Sequence, residues 1–423
     1  MWIPTSTILS LGVEDESTRI LQGSRMKARL CLTVCLAVVL ISAVHADPKV
    51  DPATGRIRLL IIGESTPYEP YFVTLYPDDP RIDLRGVVTA GDYADPKTTA
   101  RFIRIYMPRT KTRFLESLDV VELVDFVPWS LQDYHIEWIH EAVGDEGFGM
   151  TLCQMGWYPY LSHKYTSNDP EAWMATPLYD AYPVDMVVGK QNRPAVAQKI
   201  VEKTPVVSMP DFEQFPMGGS HGLVYARPGA KVHTRFRPGG EDAISSIGYG
   251  KGMVLWYPNG WNTIAGAQWR AWKYSVDFVL NQIYFVADVP VPEDPELAHS
   301  LRSAFRLYIE HKSLIIGLID FVDKFGANTN PLHRKIDELE LKREEAGDFY
   351  LQGDYQKAWD SIHEAQDGLL TISAESTELR KRALLWVYVT EYIAVAATGL
   401  LCGRLHRKPC NCLVSTSSYM TAA

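Results

Sequence analysis

The sequence predicts an α/β protein: a parallel sheet flanked by helices, followed by a helical C-terminal region and one transmembrane helix. Three observations carry this. Short, nearly continuous apolar runs alternate with helical periodicity between residues 57 and 153, as expected for strands covered on both faces and joined by crossover helices. Beyond Pro290 and Pro292 the apolar residues keep helical spacing only. Residues 383–403 then form an apolar segment long enough to cross a bilayer as a helix.

Residues 1–25 show neither core periodicity nor a targeting pattern. From Met26 the text changes to MKAR, then LCLTVCLAVVLISAV, then HADP: a basic flank, an apolar run of leader length, and small residues Val44 and Ala46 before an Asp-Pro exit. This is the pattern of a secretory signal peptide, with Met26 as the start and Asp47 as the first mature residue. A buried N-terminal helix is the alternative, and the basic flank argues against it.

The strand and helix expectations follow in order. Ile57–Gly63 (IRLLIIG) is the first strand, and Gly86–Ala90 (GVVTA) a second. Residues 98–117 place Phe102, Ile105, Phe114 and Leu115 at helical spacing, broken at Pro108. Val120–Val127 (VVELVDFV) is the next strand, Asp133–Ala142 (DYHIEWIHEA) a helix, and Met150–Cys153 a further short strand. This β-α-β-α-β alternation specifies a parallel sheet. Past residue 291, LRSAFRLYIEHKSLIIGLIDFVDKFG reads as one helix, and REEAGDFYLQGDYQKAWDSIHEA as two antiparallel helices turning at Gly353-Asp354. That pair resembles a single tetratricopeptide-type hairpin, and one copy does not make an array. Its dense charges suit a solvated stalk or a surface for a protein partner.

The segment at 383–403, ALLWVYVTEYIAVAATGLLCG, carries one charge, Glu391, and aromatics Trp386 and Tyr388 near one end. Basic residues flank both sides, so the positive-inside rule alone does not orient it. An exported N-terminus does, leaving a short cytoplasmic tail at 404–423 and the main domain outside. A buried core helix is the other reading, and Glu391 keeps it open. The predicted organisation is therefore an upstream extension and signal peptide (1–46), an α/β domain (47–290), a helical stalk or hairpin region (291–382), the span (383–403) and the tail.

Composition sets limits. The 423 residues carry 42 Lys plus Arg against 51 Asp plus Glu, a formal charge of −9, which argues against nonspecific nucleic-acid binding. Of six cysteines, only Cys153 falls in the exported portion, so no intrachain disulfide is expected there. No CxxC pair and no HExxH occurs, so neither a metal nor a cofactor is expected.

The order of segments from about Arg56 to Ala287 resembles a group within the class I glutamine amidotransferase-like proteins. The carrying features are the first strand ending in Gly63-Glu64 and the run VDFVPWSLQDYHIEWIHEAVGDEGFG. The stretch EAWMATPLYDAYPVD, the segments GLVYARPGAKV and IGYGKGMVLWYPNGWN, and the closing WRAWKYSVDFVLNQIYFVAD complete it. The resemblance implies a flavodoxin-like fold. It also implies a nucleophilic Cys in a G-x-C-x-G elbow with a downstream His-x-Glu. Here Cys153 sits in TLCQMGW with Gly156 three residues on rather than two. His135-x-Glu137, the sole His-x-Glu, precedes the Cys, and the final strand leads into Tyr257-Pro258-Asn259-Gly260-Trp261 with no His. The triad of a working amidotransferase is not supported.

Three residues remain as candidates for chemistry at the carboxyl edge of the sheet: Glu64, Cys153 and His221, as carboxylate, thiolate and base. The alternative makes Cys153 a small buried hydrophobe, Glu64 a strand-end cap and His221 a solvated loop residue, and it is preferred. Trp157, Tyr158, Tyr160, Trp173, Trp256 and Trp261 cluster near the same edge, where they would stack a small polar or sugar-like ligand or simply pack. Two functions follow. The first is a membrane-anchored, extracytoplasmic binding or assembly protein with a non-catalytic amidotransferase-like domain. The second is an exported Cys-dependent amidase or hydrolase using Cys153.

Overall fold

The structure is a computed structural model that describes residues 49–63, 76–89, 96–124, 128–153, 173–187, 193–194, 197–214, 220–221, 224–237, 239–258 and 271–406. The expected leader, Glu64, residues 125–127, Trp157, Tyr158, Tyr160, Trp261 and the tail beyond residue 406 lie outside this set.

A seven-stranded, mostly parallel sheet forms the first layer. In chain order its strands are β1 (Ile57–Gly63), β2 (Ile82–Val88), β3 (Val120–Val124), β4 (Gly149–Cys153), β5 (Lys231–Val232), β6 (Ser245–Tyr249) and β7 (Gly252–Tyr257). They lie in the order β5-β6-β7-β4-β3-β1-β2. The pairings from β2 through β1, β3 and β4 to β7 are parallel, while β6 and β5 extend the sheet antiparallel beyond β7. The second strand lies four residues earlier than GVVTA suggests. Ile82 and Leu84 belong to it, and the polar residues between them had masked the pattern.

Helices α1 (Pro96–Tyr106), α2 (Lys111–Ser117) and α3 (Asp133–Gly144) supply the crossovers. Thr110 caps α2, accepting from the Arg113 backbone N–H, so the break at Pro108 becomes a clean restart. These helices cover one face of the sheet: Ile103, Phe114, Ile136 and Ile139 pack on Leu60, Ile62, Leu123 and Leu152. Helix α4 (Ser275–Val286) covers the other face, with Phe278 and Ile283 packed among Leu59, Ile61, Leu255 and Tyr257. Both faces are therefore apolar, which is why the strand sequences run without alternation.

The order in which strands are laid down reverses between β1 and β3, because β2 lies on one side of β1 and all later strands of the sheet on the other. Gly63 ends β1 there at φ 127°. A Cβ on it would sit 1.9 Å from the Val124 carbonyl oxygen, so only glycine lets the two strand ends approach.

Three long helices follow: α5 (Pro295–Asp323), α6 (Asn330–Leu351) and α7 (Tyr355–His406). Asp294 caps α5 by accepting from the Glu296 and Leu297 N–H groups, with Pro295 in the first turn. The α6–α7 turn is where the sequence placed it, with Gly353 at φ 81°. The two helices run antiparallel, as the Lys335–Glu375 and Ser361–Lys342 contacts show. Leu301, Ile315, Ile336, Tyr350, Ile362 and Leu369 make their common core. Stalk and apolar segment are not separate elements: α7 runs 52 residues without a break, roughly 78 Å at 1.5 Å per residue. Among the described residues it is the helix long and apolar enough to cross a membrane, and the apolar window is not buried by protein.

One residue departs from the solvated-face reading of the helical region. Arg302 of α5 is buried, donating from Nε to Asp79 at 2.8 Å and from Nη1 to Asp277 at 2.7 Å. Asp79 also accepts from the Tyr284 and Tyr350 hydroxyls, and Asp277 pairs with His299 at 2.8 Å. The cluster joins the segment before β2 to α4, α5 and α6.

Candidate functional site

Parallel α/β sheets gather chemistry at the carboxyl ends of their strands. In register across this edge stand Gly63, Val124, Cys153 and Tyr257. Residues alternate faces along each strand, so Val120, Glu122 and Val124 point to the α4 side while Val121 and Leu123 point to the α1–α3 side. Cys153 of β4 lies on the α4 side as well.

That alternation brings Cys153 to Glu122 rather than placing it alone. The thiol donates to Glu122 Oε1 at 3.5 Å, a long contact even for sulfur, and the Tyr76 hydroxyl donates to the two carboxyl oxygens at 2.9 and 3.1 Å. Cys153 and Tyr76 are wholly buried, Glu122 is 1% exposed, and Tyr257 stands over the group from β7. Burial pushes the Tyr76 phenol well above its ordinary range, and the charges at Glu122 and Cys153 push it further. Tyr257 is raised in the same direction, by burial and then by Cys153. Both phenols are therefore neutral donors or packing groups, not bases. Glu122 accepts from both the Tyr76 hydroxyl and the Cys153 thiol. A carboxylate beside a buried sulfur opposes a second negative charge there, and so opposes the thiolate a nucleophile requires.

Of the three residues singled out from sequence, the structure describes Cys153 fully and His221 in backbone only. His221 lies in the two-residue strand Ser220–His221, which pairs with Arg193–Pro194, rather than in an open loop. Glu64 is outside the described residues. Glu122 was not singled out, although the signal was present: an ionisable residue in mid-strand of a sheet covered on both faces has no solvent to point to.

Several described histidines are engaged elsewhere. His233 is buried between Thr204 and Ser246, 2.8 Å from each hydroxyl, and burial lowers it to about 4, so it is a neutral core residue. His140 bonds the Tyr249 hydroxyl at 2.6 Å, and His299 belongs to the Arg302 cluster. Trp173 and Trp256 of the aromatic group are core residues packed with Tyr182. No group of three or more metal-ligating side chains occurs among the described residues.

No protein-family model matches the chain, and no curated protein matches it. Among solved structures, the cytoplasmic protein STM3548 from Salmonella typhimurium is 18% identical with a TM-score of 0.43, covering 54% of this chain and 99% of its own. The cytoplasmic protein STM1381 from Salmonella typhimurium LT2 is 16% identical with a TM-score of 0.41 and the same coverage of both chains. A β-galactosidase from Bacillus circulans sp. alkalophilus reaches 11% identity and a TM-score of 0.29 over 57% of this chain and 32% of its own. Overlap at these TM-scores assigns neither a fold family nor an activity.

Proposed function

We propose that the chain is a membrane-anchored protein whose amidotransferase-like domain serves ligand binding or assembly rather than hydrolysis. The observation that carries this is the state of Cys153: wholly buried, and donating its proton to a carboxylate that Tyr76 also occupies. A catalytic thiol needs access to its substrate, which a wholly buried sulfur does not have. The strand order β2-β1-β3-β4-β7 is the flavodoxin-type order, which supports the resemblance without lending it a reaction.

The anchor reading is supported by the exposed Leu385, Trp386, Tyr392, Ile393, Val395 and Leu400 of α7. A helix apolar on all sides needs apolar surroundings, and this one has no protein around it. With the leader at 26–46, the α/β domain and helical region lie outside the membrane, where the charged helices offer a surface to a protein partner.

Purified full-length protein in detergent should release no ammonia from glutamine, and Cys153 should alkylate slowly near neutral pH until the protein is unfolded. Rapid alkylation of folded protein, with amide hydrolysis abolished in Cys153→Ala, would replace this reading with the Cys-dependent amidase. Protease added to intact cells should digest the chain up to α7. Complete protection would reject the orientation.

A further inference from the structure

Side-chain pairs fix how far the helical region descends along α7. Lys335 of α6 donates from Nζ to both carboxyl oxygens of Glu375 on α7, at 2.6 and 2.7 Å. The two helices are antiparallel. Stepping back from Lys335 to Asn330, where α6 begins, therefore descends as far as stepping forward from Glu375 to Arg380, roughly 7.5 Å at 1.5 Å per residue. The α5–α6 corner, residues 324–329, lies at that level, about 5 Å above Ala383, where the apolar stretch starts. Ala383 is itself 7% exposed, so the bundle still covers α7 there. A bilayer carries roughly 5–8 Å of headgroup layer on each side of its hydrocarbon core. With 383–403 in the core, the corner stands in that layer.

The side chains at the corner suit such surroundings. Phe321 and Phe325, one turn apart at the end of α5, are 40% and 43% exposed, with ring centroids 5.0 Å apart. Val322 and Leu332 beside them are buried, so the phenyl pair is the part of this end that the bundle core does not take in. Apolar rings at the boundary of a bilayer gain by entering it. The exposed Lys324 and the exposed run Arg380–Arg382 supply cations at the depth of the lipid phosphates. Glu378 pairs with Lys381 and Arg382 at 3.7 and 3.6 Å from the turn above, and Asp323 accepts from the Thr329 hydroxyl at 3.1 Å. Asp320 offsets part of the remaining positive charge.

We propose that the α5–α6 corner docks on the bilayer surface, Phe321 and Phe325 entering the interface beside α7 while Lys324 and Arg380–Arg382 meet lipid phosphates. The inference rests on the reading of α7 as the anchor, and it adds a second contact that holds the helical region at a fixed tilt to the membrane.

The test uses full-length protein in phosphatidylcholine vesicles that include a phosphatidylcholine with a diazirine near the glycerol end of one acyl chain. After illumination and tryptic digestion, peptides 313–324 and 325–334 should carry lipid adducts at least about tenfold above peptide 344–357, at the far end of the bundle. The double variant Phe321→Ser/Phe325→Ser, at exposed positions, should keep the parent melting temperature. It should lose at least about tenfold of the corner adducts while those on peptide 383–404 stay unchanged. Adducts on 383–404 with none on the corner would overturn this proposal and leave the anchor standing, whereas adducts on neither would remove the anchor with it. Corner adducts that the double variant leaves unchanged would also overturn it. So would a dimer in detergent that the double variant dissociates, which would make a second copy the occupant of the phenyl pair.

Discussion

Replacing Arg302 by Met should unlatch the helical region from the α/β domain. The arginine is 4% exposed and makes charge-assisted bonds to two buried aspartates, Asp79 at 2.8 Å and Asp277 at 2.7 Å. Each such bond contributes about 1.5–3 kcal/mol, giving about 3–6 kcal/mol for both before relaxation. Asp79 would keep the Tyr284 and Tyr350 hydroxyls and the Arg81 N–H, and Asp277 would keep His299. The expected loss is therefore at the lower end, about 3–4 kcal/mol, in line with removal of one partner from a buried ion pair. If the loss falls on undocking, the open population rises by roughly 10²–10³-fold, and limited proteolysis of the linker at 288–294 should accelerate by that factor while opening and closing stay fast. Adding Asp79→Asn and Asp277→Asn should recover part of the stability, because no unpaired buried charge then remains. Acid should act on the same cluster in the parent. Burial alone would raise the Asp277 carboxyl, but His299 and Arg302 outweigh it and hold it below the usual range. A depressed folded-state pKa contributes stability above the unfolded value of about 3.9 and loses it as pH falls further. Linker cleavage changed less than about threefold in Arg302→Met would show that this cluster does not hold the junction.

Asp78 should give the opposite pH dependence. Burial pushes its carboxyl up to about 7, against Arg306 and with help from Glu310 and Asp79. Its contribution is complete below the unfolded value of about 3.9 and is lost as pH rises through about 7. Asp78→Asn should therefore raise the melting temperature relative to the parent at pH 8 but not at pH 4, and an equal effect at both would refute the assignment. Ile393→Arg places a charge near the middle of the apolar stretch of α7, at an insertion cost of about 2.5–3.5 kcal/mol. The parent should pellet with membranes and resist carbonate extraction, the variant should shift toward the soluble fraction, and a soluble parent would reject the anchor.

Much of the fold was legible because it is locally encoded. Ile57–Gly63 and Gly149–Cys153 form strands where continuous apolar runs said they would, within one residue. Pro108 separates two helices because its ring fixes φ and removes an N–H, and Gly353 turns the hairpin because glycine alone adopts φ 81° without strain. The antiparallel additions β5 and β6 were harder to read, since strands of two and five residues offer little periodicity. The candidate site was half legible. Cys153 was found from its place after a strand, but its partner Glu122 is 31 positions away in sequence and meets it only because β3 and β4 pair in register.

The apolarity of residues 383–403 and the alternation of strands and helices are properties of the sequence alone, because they follow from side-chain transfer energies and backbone geometry residue by residue. Tertiary structure decided which charges are solvated and which are buried. Arg302 stands in the sequence among Arg306, Glu310 and Lys312 as one more charge on a helix, yet it alone of these is sealed between aspartates 223 and 25 positions away. His135 was notable in the sequence for its spacing to Glu137, and in the structure it is a buried residue of α3 with its ring beside Tyr134. Periodicity fixes the face of an element on which a residue lies. What meets that face depends on how distant segments cross, and only the assembled sheet and helices supply that.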